Sequence, residues 1–159
     1  MNSAIERLLS LRVCDVMSRN VVSIAATKNM SEAAGVLTQH FISGAPVVGQ
    51  QGQCVGMLSA IDFVRCVAEN GDPTLHRDRE QNGSRDRGHS CPAPATDAVA
   101  SHMSALVQTV QTNQSLTDAA RLMCQNHIHR LVALDEQGRP VGVITSLDIV
   151  AALINAIEE

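Results

Sequence analysis

The chain has 159 residues, 45% of them apolar, enough for one domain or two small halves that share a core. Phe41 and Phe63 are its only aromatics, so the core must be built from aliphatic side chains, and a flat ligand would lie between them rather than on rings. A net charge of −4, with Lys28 the one lysine against eleven arginines, argues against a nucleic-acid binder, which needs a basic surface to displace counterions. It leaves room for a local arginine site for phosphate.

Residues 1–12 lack the apolar run of a signal peptide, and no apolar stretch approaches the roughly 18 residues of a membrane span. Cys14, Cys54, Cys66, Cys91 and Cys124 follow no disulfide spacing and read as small buried hydrophobes. Together these features predict a reducing, cytoplasmic setting.

Ile5, Leu8, Leu9 and Leu11 recur at helical spacing and predict a short amphipathic helix over 3–11, packed across the centre of the chain or on a partner. From Val13 onward the chain is one unit written twice. Residues 13–67 align with 99–153 without a gap, with 14 identities in 55 positions, among them Val13/Val99, Met17/Met103 and Asp62/Asp148. Each copy opens with a short strand, over 21–24 and 107–110. A helix then starts behind a cap, Asn29 with Glu32 in the first copy and Ser115 with Asp118 in the second. Met30, Ala33, Ala34 and Leu37 form its buried face, and Leu116, Ala119, Ala120 and Met123 repeat it. A hairpin follows, turning at Gly52 and Gly138, and a closing helix ends each copy. The last helix carries an apolar stripe of Leu147, Val150, Leu153, Ile154 and Ile157. The units are therefore β-α-β-β-α, an α+β fold, with an N-terminal helix in 1–12, repeats at 13–68 and 99–159, and a polar linker at 69–98.

The second hairpin strand of each copy ends on a hydroxyl followed three residues later by an acid: Ser59 with Asp62, Thr145 with Asp148. Taken singly, this pattern is a helix cap. Met twice at corresponding places, it also offers a carboxylate that can accept hydrogen bonds from a vicinal diol such as a ribose.

The ordered set of Asp15-Val16-Met17, Ile42-Ser43-Gly44-Ala45-Pro46-Val47-Val48, Val55-Gly56-Met57-Leu58-Ser59-x-x-Asp62, His129-Arg130-Leu131 and Val141-Gly142-Val143-Ile144-Thr145-x-x-Asp148 resembles a pair of CBS (cystathionine-β-synthase) domains, the tandem known as a Bateman module. The likeness covers about 13–155. It implies two units packed about a pseudo-twofold axis, with two clefts between them that hold adenosine derivatives: AMP, ADP, ATP or S-adenosylmethionine. It implies one site built from Val22, Gly44, Ala45, Pro46, Ser59 and Asp62, and another from Gln108, Arg130, Leu131, Val132, Thr145 and Asp148. The second copy has Leu131-Val132-Ala133-Leu134 where the family commonly has a proline, which implies a reshaped adenine pocket.

His129 and Arg130 stand at a loop-to-strand junction, where such a pair is ordinarily a solvated strand edge. The other reading is phosphate contact across the repeats, for which the arginine fork is suited. Their counterparts Ser43 and Gly44 cannot do this, so the Asp62 cleft is expected to fill first. Cys124, His127 and His129 have the residue types of a metal site, but His127 matches Phe41, an expected partly buried position, and a fourth ligand is missing. His76, His89 and Cys91 in the linker could add a weak site only if it folds back. No metal site is expected. With no nucleophile elbow, phosphate-binding loop or zinc-protease motif, no catalytic residue is expected either.

The function implied is that of a non-catalytic regulatory module, requiring no cofactor, with an adenosine nucleotide as regulatory ligand. The alternative is a ligand-free interaction or scaffold module. In either case the regulated partner is expected to be a separate protein, and stand-alone modules of this kind commonly pair, so a homodimer is expected.

Overall fold

The computed structural model describes residues 2–70 and 97–158, so most of the expected polar linker, with His76, His89 and Cys91, lies outside the described residues. Two matching units follow one another. The first runs from α1 (Asn2–Ser10) and α2 (Val13–Val16) through β1 (Ile24–Ala25), α3 (Met30–Gln39), β2 (Gly44–Val48) and β3 (Cys54–Ser59) to α4 (Ala60–Asn70). After a turn of 3-10 helix at Val99–Ser101 come β4 (Thr109–Gln111), α5 (Leu116–Asn126), β5 (Arg130–Leu134), β6 (Pro140–Thr145) and α6 (Ser146–Glu158). Each unit has a three-stranded sheet, in which the short first strand is parallel to the second and the hairpin is antiparallel.

Local chemistry explains the elements. The Asn29 side chain accepts from the Glu32 amide at 2.8 Å, and Glu32 accepts from the Asn29 amide at 3.0 Å, a closed capping box. That bond, helped by the charge of Lys28, holds the Glu32 carboxyl below its ordinary range. In the second unit, Ser115 Oγ accepts from the Asp118 amide at 3.1 Å. Gly52 and Gly138 close their hairpins at φ of 80° and 74°, a region costly to residues with a Cβ. Asp135 sits across the second turn from Arg139, whose backbone amide chiefly keeps its carboxyl below the usual range.

The strands expected over 21–24 and 107–110 are shorter and lie further along the chain. Parallel pairing begins only at Ile24↔Val47 and Thr109↔Val132. Upstream, Val22 and Gln108 border open clefts, so their backbone has no ladder partner there. Phe41, expected to be partly buried, is 96% exposed, and its counterpart His127 is exposed. Both adopt a left-handed conformation at the end of a helix, with φ of 54° and 53°, and this turn carries the side chain out from the core.

The packing crosses between the copies. Val13 lies in the core of the second unit, with Val110, Leu116, Leu131 and Ile144, and Met17 packs against that core. Val99 lies in the core of the first, with Ile24, Met30, Ala45 and Leu58, and Met103 packs there. Val13 and Cys14 donate their amides to the carbonyls of Gln114 and Thr112 at 3.0 and 2.9 Å, while Val99 donates to Lys28 at 2.8 Å. Ser18 exchanges a pair of backbone bonds with Val143, and Ser104 does so with Met57, all at 2.9 Å. A methyl at Gly142 would run into the Met17 side chain, and one at Gly56 into Met103. Helix α1 follows its neighbour: Leu8, and Leu11 just beyond the helix, pack on the second core, and Arg7 donates to the Ala156 carbonyl at 3.2 Å.

Because each repeat carries part of the other's core, neither is expected to fold alone. A fragment of residues 97–159 should show no cooperative urea transition by circular dichroism. A sharp transition in that fragment would show that Val13 and Met17 are dispensable to it.

Candidate functional site

The two hydroxyl-x-x-Asp junctions are built alike. Ser59 closes β3 and Asp62 stands in the first turn of α4, while Thr145 closes β6 and Asp148 stands in the first turn of α6. Asp62 Oδ2 accepts from both the Ser59 amide and the Ser59 hydroxyl, each at 2.7 Å. Asp148 Oδ2 accepts from the Thr145 amide and hydroxyl at the same 2.7 Å, and the Asp148 amide donates to Thr145 Oγ1 at 3.2 Å. The carboxylates therefore do cap their helices, where negative charge is favoured by the helix dipole.

Their second oxygens differ. Asp62 Oδ1 lies 3.6 Å from Arg65 Nη1, and the Asp62 side chain is only 5% exposed. Asp148 is partly exposed, and its Oδ1 has no partner among the described residues. The position matching Arg65 is Ala151. With Arg65 67% exposed, the ion pair itself contributes little stability, but it does place a guanidinium over that oxygen.

Two clefts separate the repeats, and each draws on both. One, of about 300 Å³, is lined by Val22, Gly44, Pro46 and Met57 of the first copy with Arg130, Val143, Thr145 and Asp148 of the second. The other, of about 450 Å³, is lined by Ser43, Gly44, Met57 and Ser59 with Gln108, His129, Arg130 and Val132. The expected grouping is thus crossed: Val22 and Pro46 share a cleft with Asp148, while Gln108 and Val132 share one with Ser59. The exchange of the opening segments is the cause, since it brings the edge of each sheet against the other repeat.

Ala45 and Leu131, expected among the ligand-holding residues, are taken up by the two cores and line neither cleft. Strand alternation requires this: with Gly44 and Pro46 facing a cleft, Ala45 faces inward. Met57, not anticipated from sequence, borders both clefts. The register could have revealed it, because Met57 stands directly opposite Pro46.

Arg130 also borders both clefts. In the β5–β6 ladder it faces Thr145, the place that Gly44 holds opposite Ser59 in the first unit. Its Nη2 donates to Ser43 Oγ across the repeats at 3.2 Å. The cleft beside Asp148 therefore combines a carboxylate with an unclaimed oxygen, an apolar wall and a guanidinium. These are acceptors for a diol, a slot for a flat ring and a donor fork for an anion. Asp148 also borders a groove of about 460 Å³ between α1 and α6, where Arg7, Asp15 and Asn155 contribute. Among the described residues no three His, Cys, Asp or Glu side chains gather as metal ligands, and Cys124, His127 and His129 are all exposed. No described helix is long and apolar enough to cross a membrane.

A family model described as CBS domain matches residues 13–69 and again 99–155. An uncharacterized protein of Methanocaldococcus jannaschii, MJ1426, is 24% identical over 155 residues, covering 88% of this chain and 89% of its own. Among solved structures, CBSX2 in complex with AMP is similar at a TM-score of 0.70 and 20% identity, over 94% of this chain and 100% of that one. The CBS domain pair of protein MJ0100, in complex with 5′-methylthioadenosine and S-adenosyl-L-methionine, is similar at 0.67 and 21%, over 94% and 98%.

The junction hydroxyls yield a stability prediction. Ser59→Ala and Thr145→Ala should each lower stability by about 1 kcal/mol, measured as a shift of the urea midpoint at constant slope. Unchanged midpoints would show that the carboxylates hold these junctions without the hydroxyls.

Proposed function

The chain belongs to the CBS domain family, carrying the domain at 13–69 and at 99–155, and from this we propose that it is a regulatory module that senses an adenosine nucleotide between its repeats. The observation that carries the reading is that Asp148 lines the inter-repeat cleft together with Val22, Pro46 and Arg130, while its Oδ1 has no partner among the described residues. A ribose diol would donate to the carboxylate, adenine would lie along the aliphatic wall, and Arg130 would meet phosphate. The module itself is non-catalytic and acts on a separate partner protein. CBS pairs of like fold have been seen with AMP and with S-adenosyl-L-methionine, which supports an adenosine-type ligand here. The proposed setting is the cytoplasm; of the described cysteines only Cys66 is the buried hydrophobe expected, while Cys14 and Cys54 are half-buried and Cys124 is exposed.

A ligand lying between two repeats reports its presence by favouring one angle between them over another. It can shift that equilibrium only by as much as its affinities for the two states differ. Arg130 and Ser43, already joined across the cleft, are where such a change would first be felt.

Thermal denaturation with AMP, ADP, ATP and S-adenosylmethionine tests the proposal. A ligand at a hundred times its Kd should raise the melting temperature by roughly 5–10 °C in a chain of this size. No shift with any of the four would sink it.

The same proposal includes a homodimer. Ile61 and Val64 on α4, and Leu147, Val150, Leu153 and Ile157 on α6, are exposed, with Leu147 at 77% and Ile157 at 68%. An apolar face of this extent on two helices is suited to a second copy of itself. Sedimentation equilibrium at micromolar concentration should give twice the 16.9 kDa chain mass. A single-chain mass would count against it.

A further inference from the structure

Resting on the reading above, we propose that the chain takes one adenosine ligand, beside Asp148, and that Asp62 serves only to close its own helix junction. The sequence presents two equal hydroxyl-x-x-Asp sites. The folded chain makes them unequal.

In both junctions Oδ2 already accepts two hydrogen bonds, from a backbone amide and a side-chain hydroxyl. A carboxylate oxygen has two lone pairs, so a ribose diol must be received chiefly by Oδ1. At Asp148 that oxygen has no partner among the described residues, and the side chain lines the cleft. At Asp62 the same oxygen faces Arg65 at 3.6 Å, and the side chain is almost wholly buried. The cavity on that side is lined by Ser59 but not by Asp62. A diol reaching for Asp62 would have to uncover a buried carboxylate and displace a guanidinium, with desolvation costs on both groups.

The cations do not reverse this. His129 and Arg130 border the Asp62 side, the basis for expecting that side to fill first, but Arg130 also borders the Asp148 cleft and stands opposite Thr145. Phosphate contact is thus available at Asp148 together with the ribose anchor, and at Asp62 without it. Arg65 distinguishes the sites, since the matching position beside Asp148 is Ala151, an exposed residue on the same helix.

Calorimetric titration of the full chain with AMP, and separately with S-adenosylmethionine, tests this. The expected stoichiometry is one ligand per chain. Asp148→Asn should weaken binding roughly tenfold to a hundredfold, the loss of a charge-assisted contact. Ala151→Arg, which transfers the Asp62 arrangement to Asp148 at an exposed position, should weaken it roughly tenfold. The second variant also decides the matter should Asp148→Asn fail to fold. Two equivalents per chain, or undiminished binding in these variants, would overturn the one-site inference while leaving the adenosine reading intact. No binding of either probe by the unmodified chain would overturn both.

Discussion

The structure depends on an exchange: the segment that opens each repeat completes the core of the other. Val13 and Met17 belong to the second unit, Val99 and Met103 to the first. The glycines opposite the methionines are part of the device, because only a residue without a Cβ leaves room for the sulfur of Met17 over Gly142 or Met103 over Gly56. The paired backbone bonds of Ser18 with Val143 and Ser104 with Met57 then tie each opening segment to the third strand of the other sheet. Burial of the opening valines rewards the two halves only when they are together, which makes one cooperative body of two repeats.

That constraint also creates the clefts. With each opening segment bonded to the third strand of the other sheet, the starts of β2 and β5 come together, and residues from both copies line the space between them. Ser43 and Arg130, 87 residues apart in the chain, meet there at hydrogen-bonding distance. A site made of two bodies is suited to regulation, since anything that binds in it acts on their relative position.

The backbone is nearly symmetric and the side chains are not. The Cys54 amide donates to the Gly138 carbonyl at 2.9 Å, but the matching residue in the second copy is Pro140, which has no amide hydrogen, so the reciprocal bond cannot form. Gly44 and Arg130 hold the same place in their ladders, as do Arg65 and Ala151 in their helices. Differences of one residue in a duplicated frame thus give the two sides of the molecule unlike chemistry without disturbing the fold.

By itself, the sequence determined whatever depends on neighbours in the chain: the duplication, the caps at Asn29 and Ser115, the glycine turns at Gly52 and Gly138, and the hydroxyl-x-x-Asp junctions. Those are short-range hydrogen bonds and backbone preferences, and they read the same in a line of letters as in space. The alternation that turns Ala45 and Leu131 inward follows from strand geometry, but it needed each strand's cleft face, which the folded chain supplied. Only the tertiary structure decided which half each opening segment completes, because the periodic pattern of 13–17 and 99–103 fits either sheet equally well. With that undecided, the crossed membership of the clefts was undecided as well. The burial of Asp62 under Arg65, and the exposure of Asp148 beside Ala151, likewise arise from how helices sit on sheets. Solvent access to a carboxylate is set by everything packed around it, and most of what is packed around it is distant in the chain.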